Sequence, residues 1–166
     1  MVTRIVQASS ESEIDAARAL FGEYAAWLDL DLSFQGFAAE LAALPGEYTP
    51  PRGTLLLALD DEAVLGCVGL RPLDWPRSAE LKRLYVRPEA RRRQVGLLLS
   101  QAALSIACDA GYERVRLDTL PTMVSAQRLY QALGFYEIDA YRFNPVAGTT
   151  YMELILSPAG GRPPQI

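Results

Sequence analysis

Leu81-Lys82-Arg83-Leu84-Tyr85-Val86-Arg87-Pro88-Glu89-Ala90-Arg91-Arg92-Arg93-Gln94-Val95-Gly96 runs into an apolar, alanine-rich stretch that continues to Ala107. It reads as a strand that empties through a basic turn into a helix. That layout makes an anion site, because the unpaired N–H groups of a helix start present roughly half a positive charge. The four arginines of the turn add mobile charge around it. The expected ligand carries phosphates.

Working outward, Thr3 to Ala8 reads as a strand, and Ser10-Glu11-Ser12-Glu13 is a capping box that opens a helix. That helix turns Ala16, Leu20, Trp27 and Leu28 to one side and stops near Leu28-Asp29-Leu30-Asp31. A second, short helix from Phe34 to Leu44 ends at Pro45-Gly46. Strands Gly53 to Leu59 and Ala63 to Leu70 form a hairpin, followed by a strand from Ala79 to Val86. The helix after the turn spaces Leu99, Ala103, Ile106 and Ala110 helically and stops at Gly111. Tyr112 to Asp118 is a strand, Met123 to Leu133 a helix, and Phe135 to Asp139 and Thr150 to Leu156 close the order as strands. The sequence βααβββαβαββ with a mixed sheet is an α+β fold, an α/β sandwich.

A length of 166 residues suits one domain that buries roughly 70% of the surface of its unfolded chain. We assign residues 1–157 to that domain and 158–166, rich in Pro and Gly, to a flexible C-terminal tail. Net charge is −4 and the pI is about 4.9, so the basic turn is a local patch in an acidic chain rather than a nucleic-acid surface. No segment has the apolar length of a signal peptide or a membrane span, which points to a soluble cytoplasmic protein. Cys67 and Cys108 each lie in an apolar segment and read as buried thiols rather than a disulfide or a metal pair. The chain has no histidine. Histidine-based triads and the usual zinc sites are thereby removed, leaving carboxylates, tyrosines and backbone donors for any chemistry, with no metal.

The strand Glu80 to Val86, the turn Arg87 to Gly96 and the later Ala126-Gln127-Arg128-Leu129-Tyr130-Gln131-Ala132-Leu133-Gly134-Phe135 resemble the coenzyme A site of GNAT-type N-acetyltransferases. The element order agrees over nearly the whole chain. The resemblance implies a mostly antiparallel mixed sheet of about six to seven strands flanked by about four helices, with acetyl-CoA as co-substrate. Its turn, Gln/Arg-x-x-Gly-x-Gly/Ala, holds a pyrophosphate on backbone N–H groups. Arg91 and Gly96 match the first and last positions, but Gln94 replaces the middle glycine. A side chain there crowds a phosphate unless the backbone stays out of positive φ. The implied coenzyme contacts are Leu84, Tyr85 and Val86 on the strand, which also offer N–H groups to the reacting oxygen, and Arg91, Arg92, Arg93, Gln94, Val95, Gly96 and Leu97 on the turn. The strand of Leu84 to Val86 is expected to splay from that of Arg116 to Asp118. Where many relatives have an asparagine, this chain has Met123.

An acceptor amine with a lysine-like pKa of about 10.4 is neutral in only about one part in a few thousand at pH 7, so its proton must be taken. The resemblance implies Glu80 as that base, against the plainer reading of Glu80 and Lys82 as a salt bridge on one face of a strand. Asp118 is the second choice, as base or amine anchor, and reads equally as a helix cap. Tyr130 stands where the family places a tyrosine acid for the departing thiolate; otherwise it is a core aromatic whose hydroxyl bonds to backbone. Trp27 and Asp29, together with Asp118, Tyr141 and Asn144, are expected at the acceptor. Asp29 and Asp31 suit a cationic amine and Arg142 a carboxylate. A polyamine, an amino acid, an aminoglycoside-like compound and a protein N-terminus all remain open as acceptors, and a homodimer is compatible with the reading. Neither a nucleic acid nor a membrane is expected as a partner. The competing reading is a non-catalytic acyl-CoA-binding regulatory module. A nucleotide-binding α/β domain is poorer, since neither a Walker lysine nor a dinucleotide glycine pattern occurs.

Overall fold

The computed structural model describes residues 2–61 and 63–156. The proposed tail at 158–166 lies outside them. Seven strands form one sheet in the order β1-β2-β3-β4-β5-β7-β6. They are β1 (Thr3–Gln7), β2 (Thr54–Asp60), β3 (Ala63–Pro72), β4 (Ser78–Val86), β5 (Arg114–Thr119), β6 (Tyr136–Ile138) and β7 (Thr150–Ile155). Only β4 and β5 pair in parallel; the other neighbours are antiparallel. Four helices, α1 (Glu11–Leu28), α2 (Phe37–Ala43), α3 (Val95–Asp109) and α4 (Val124–Leu133), complete the α+β fold.

Alternation along β2 shows how the two helical layers arise. Leu55 and Leu57 enter one core with Ala17, Leu20 and Phe21 of α1, while Leu56 and Ala58 enter the other with Leu99, Ala103, Leu104 and Ala107 of α3 and Tyr130 and Leu133 of α4. The sheet is thus buried on both faces in its centre. The buried stripe of α1 is Ala17, Leu20 and Phe21, one step from the expected Ala16, Leu20, Trp27 and Leu28, because spacing of three and four from Ala17 faces the sheet. Trp27 is left 48% exposed. Ser10 Oγ accepts from the Glu13 N–H at 3.2 Å and Glu13 Oε2 from the Ser9 N–H at 3.0 Å, so the cap forms. The second helix starts later than expected: Ser33–Gln35 is a 3₁₀ turn, and Gly36, in the left-handed region, redirects the chain into α2. In α3, Ala110 lies past the last helical residue and is exposed, so Ala107 takes its place on the buried stripe.

Two irregularities of β4 open the centre of the sheet. The parallel ladder holds at Ser78↔Arg114, Ala79↔Val115 and Glu80↔Arg116 and goes no further. On the other edge the register moves from Gly69↔Lys82 to Cys67↔Tyr85, a bulge that places Arg83 at φ 61°. A positive φ costs a bulky residue of order 1–3 kcal/mol and persists only when its surroundings hold it. Here the Arg83 guanidinium, buried on that side of the sheet, donates to both oxygens of Glu40 on α2, at 2.9 and 3.2 Å. Beyond Glu80 the strands β4 and β5 therefore form a fork.

Candidate active site

One limb of the fork borders a cavity of about 580 Å³. Its walls are Leu84, Tyr85 and Val86 of β4, the residues Arg91, Arg92, Gln94, Val95, Gly96 and Leu97 of the turn and α3, and Ser125, Ala126 and Leu129 of α4. The first N–H groups of α3 have no partner within the helix, so they are available at this wall. Arg91 is held by its own bond from Nε to the Val86 carbonyl, 3.2 Å, and by its guanidinium lying 5.0 Å from the ring centroid of Trp27. Trp27, expected at the acceptor, thus stands in the wall of the large cavity. Arg93 does not: its guanidinium turns away to Asp60 at 2.6 Å and ties the turn to β2.

Gln94 occupies the left-handed region, φ 61°, as does Arg92 at φ 67°. The turn follows the path a glycine would take even though a glutamine is there, so the backbone does not stay out of positive φ and the Gln94 side chain borders the place of a phosphate. A Cβ added at Gly96 would stand 3.4 Å from Leu129 Cδ2 and 3.8 Å from Val86 Cγ2, which leaves room for a methyl but directs anything larger into the cavity. Helix N–H groups, two guanidiniums and an apolar trough of Leu84, Val86, Ala126 and Leu129 suit a ligand with a pyrophosphate and a long thin arm. The residues fit coenzyme A.

Deeper in the fork, Glu80 is fully buried. Arg71 donates to its Oε1 through Nε at 3.0 Å and Nη2 at 2.9 Å, Tyr141 donates its hydroxyl to Oε2 at 2.6 Å, and Arg142 Nη2 also reaches Oε2. Burial pushes the carboxyl's pKa up, but the charges of Lys82, Arg142 and Arg71 and the Tyr141 bond outweigh it and hold the group below its ordinary value. A carboxylate so encircled is suited to clamp β3, β4 and the segment before β7. It is a poor proton acceptor. The expected pair with Lys82 does not form; Lys82 Nζ donates instead to Gln35 Oε1 at 3.0 Å.

Asp118 presents the opposite situation. It lies on β5 two residues past the last parallel rung, and its Oδ2 is buried with no hydrogen-bond partner among the described residues. With Tyr24, Gln35, Met123 and Asn144 it lines a small cavity of about 20 Å³, room for one water or one ammonium group. Met123 accepts a weak bond from Thr119 Oγ1 at 3.7 Å. Asn144 Oδ1 accepts from the Val146 N–H at 2.9 Å and so shapes the wall.

Tyr130 packs its ring 5.7 Å from that of Phe135 and is 7% exposed, yet its hydroxyl makes no hydrogen bond among the described residues. The backbone acceptor of a purely structural tyrosine is missing. Burial first, then the neighbouring Tyr24 and Asp118, raise its pKa, so it stays a donor across the neutral range. Tyr141 is committed to Glu80, and its ring packs on Tyr151 at 5.4 Å. Asp29 closes α1 in the left-handed conformation on the exposed surface, and Asp31 caps the 3₁₀ turn through the Ser33 N–H at 2.9 Å. Cys67 is buried, donates to the Arg83 carbonyl at 3.4 Å, and has its thiol pKa pushed up mainly by burial; Cys108 is partly exposed rather than buried. Sequence reasoning missed Arg71 on β3, Gln35 on the 3₁₀ turn and Tyr24 on α1, which only tertiary packing brings to the fork. Lys82 carried a signal that went unused: it is the chain's only lysine.

The sequence pattern of the Acetyltransferase (GNAT) family matches residues 14–135. The chain is similar to an uncharacterised N-acetyltransferase of Schizosaccharomyces pombe, 39% identical over 146 residues that cover 87% of this chain and 90% of that protein. A second such protein, from Dictyostelium discoideum, is 29% identical over 94% of this chain and all of its own length. Among solved structures, a GNAT-family acetyltransferase of Staphylococcus aureus superposes with a TM-score of 0.77 at 20% identity, covering 94% of this chain and all of the other. The PaiA N-acetyltransferase of Thermoplasma acidophilum, solved in complex with coenzyme A, gives 0.68 at 22%, covering 93% and 99%. With the family pattern spanning residues 14–135 and a relative 39% identical over most of both chains, on a fold shared with these acetyltransferases, the chain belongs to the GNAT family and is an acetyltransferase.

Proposed function

We propose that the protein moves an acetyl group from acetyl-CoA to a primary amine of a small molecule or peptide, by direct attack in a ternary complex within the cytoplasm. Acetyl-CoA supplies the activated acyl group, as a thioester whose departing thiol is acidic for a leaving group. The observation that carries the reading is the end of the parallel ladder at Glu80, which leaves a cavity of about 580 Å³ on one limb of the fork and, on the other, an Asp118 oxygen with no partner among the described residues.

In this reading Arg91, Arg92 and the N–H groups of Val95, Gly96 and Leu97 bind the pyrophosphate, and Leu84, Val86 and Leu129 exclude water from the pantetheine arm. Backbone N–H groups at Leu84 to Val86 face the reacting oxygen. Asp118, rather than Glu80, receives the acceptor's ammonium group and takes its proton, because only Asp118 has an oxygen to spare. Glu80 is a positioning residue. Tyr130 donates a hydrogen bond to sulfur as charge grows there; full transfer from even an ordinary phenol of pKa about 10 to a thiolate of about 8.5 is uphill by about 2 kcal/mol, and the burial that raises Tyr130 makes it more so. The test is acetyl-CoA-dependent thiol release against an amine library, with coenzyme binding measured separately by calorimetry. Release with at least one amine class supports the reading; tight coenzyme binding with no release for any amine class would leave only the regulatory module.

A further inference from the structure

Fifteen of the 16 lysines and arginines are arginines, and the one lysine lies inside the fork. Lys82 is 6% exposed, and of the three N–H bonds on its Nζ one is used, toward Gln35. It sits two residues past Glu80, where the parallel ladder ends, and two residues before Leu84 in the wall of the coenzyme cavity. The bulge at Arg83 lies between them, so Leu84 faces the coenzyme cavity while the Lys82 side chain turns to the other face of the fork, where Nζ meets Gln35 at 3.0 Å. Its one partner, Gln35, lines the small cavity together with Asp118. The charged groups that face it are Glu80 and Arg83 on β4, Arg71 on β3 and Asp118 on β5. Burial, only partly offset by Glu80 and Asp118, lowers its pKa to about 8. Roughly a tenth of it is then neutral at pH 7, a few hundredfold more than for an exposed lysine. A fork arranged to receive an amine already contains one.

We propose that Lys82 is a self-acetylation site, taking the acetyl group of bound acetyl-CoA when no external amine occupies the fork. The inference rests on the acetyl-transfer reading above. The neutral Nζ attacks the thioester carbon; the N–C bond forms as the C–S bond breaks, and the electron pair of that bond goes to sulfur. The proton that Nζ loses passes to Asp118 and from there to solvent, and the thiolate, hydrogen-bonded by Tyr130, takes one proton back from solvent, so the products are an acetyl-lysine and coenzyme A thiol and both side chains end as they began. The modified side chain has no charge beside Glu80, and its added acetyl group displaces Nζ from Gln35, a wall residue of the small cavity that Asp118 also lines. Self-acetylation therefore slows transfer to any external acceptor.

The experiment incubates the full chain with acetyl-CoA and no amine, and follows intact mass and the peptide that carries Lys82. The expected result is one acetyl group at Lys82, gained faster at pH 9 than at pH 7 and at least about tenfold faster than in the chemically unfolded chain. Lys82→Arg should gain nothing on that peptide. Three results would overturn the proposal. An unmodified Lys82 in a protein that binds acetyl-CoA and acetylates an external amine removes self-acetylation and leaves the enzyme reading standing. Equal rates in the folded and unfolded chains make the modification merely chemical. A chain that fails to bind acetyl-CoA by calorimetry sinks the acetyl-transfer reading first, and this inference with it.

Discussion

At the scale of single residues, the proposed chemistry turns on the contrast between two carboxylates. Glu80 has three donor side chains on its two oxygens, and Asp118 has an oxygen with none. Asp118→Asn should lower turnover by at least about a hundredfold, the usual contribution of a general base, while acetyl-CoA affinity measured by calorimetry stays within about twofold. Glu80→Gln should act mainly on stability, because removing one partner of a buried ion pair costs about 3–5 kcal/mol. Its melting temperature should fall, and the pH–rate profile of the remaining folded enzyme should keep the wild-type shape; a profile that flattens would return the base role to Glu80. Tyr130→Phe removes a hydroxyl that bonds to nothing in the described structure, so stability should hardly change. Turnover should drop by about tenfold or more if the phenol meets sulfur, equivalent to about 1.4 kcal/mol of barrier. The strained turn offers a converse case. Gln94→Gly places at φ 61° the residue that tolerates it, so coenzyme affinity should hold or improve, whereas Gly96→Trp fills the cavity and should abolish binding.

At the scale of elements, the fork depends on what grips β4 from the flanks. Arg83 and Glu40 join the bulge to α2 through a pair in which the arginine side chain is 2% and the glutamate 11% exposed. Glu40→Gln leaves the buried guanidinium half-paired, and both denaturation midpoint and acceptor KM should respond, since α2 and the 3₁₀ turn bearing Gln35 hang from that contact. The end of α1 meets the wall of the large cavity through Trp27, whose ring packs tilted against Tyr85 at 6.1 Å and under the Arg91 guanidinium at 5.0 Å. Fluorescence of Trp27, read in a Trp75→Phe background, should change on titration with coenzyme A, and Trp27→Ala should weaken that binding by several-fold. An unchanged spectrum at saturating coenzyme would detach Trp27 from the cavity.

For the whole molecule, acid is the informative perturbation. Glu80 and Glu153 both have carboxyls held below their ordinary value of 4.5, Glu153 by the Tyr136 hydroxyl and Arg116 against the effect of burial. The folded state then binds fewer protons than the unfolded state, so the stability these groups add is complete above that ordinary value and is lost as pH falls through their lower folded values. Urea midpoints should hold from neutral pH to about pH 5 and fall steeply below about pH 4. The strands, the helices and their order were legible in the sequence because local periodicity and capping specify them: Ser10 to Glu13 opened α1, and Gly111 and Gly134 followed the ends of α3 and α4. The basic turn and the α4 motif were legible for the same reason, as contiguous residues. The pairing of Glu80 with Arg71 and Arg142, the turning of Arg93 to Asp60 and the isolation of Asp118 were not, since each depends on groups separated by many residues and brought together only by sheet register and the bulge at Arg83. The amino-acid order by itself determined an α+β chain with a basic turn at the start of one helix. Which carboxylate is encircled and which stands open was decided by the tertiary structure alone, because hydrogen-bond saturation is a property of neighbours in space.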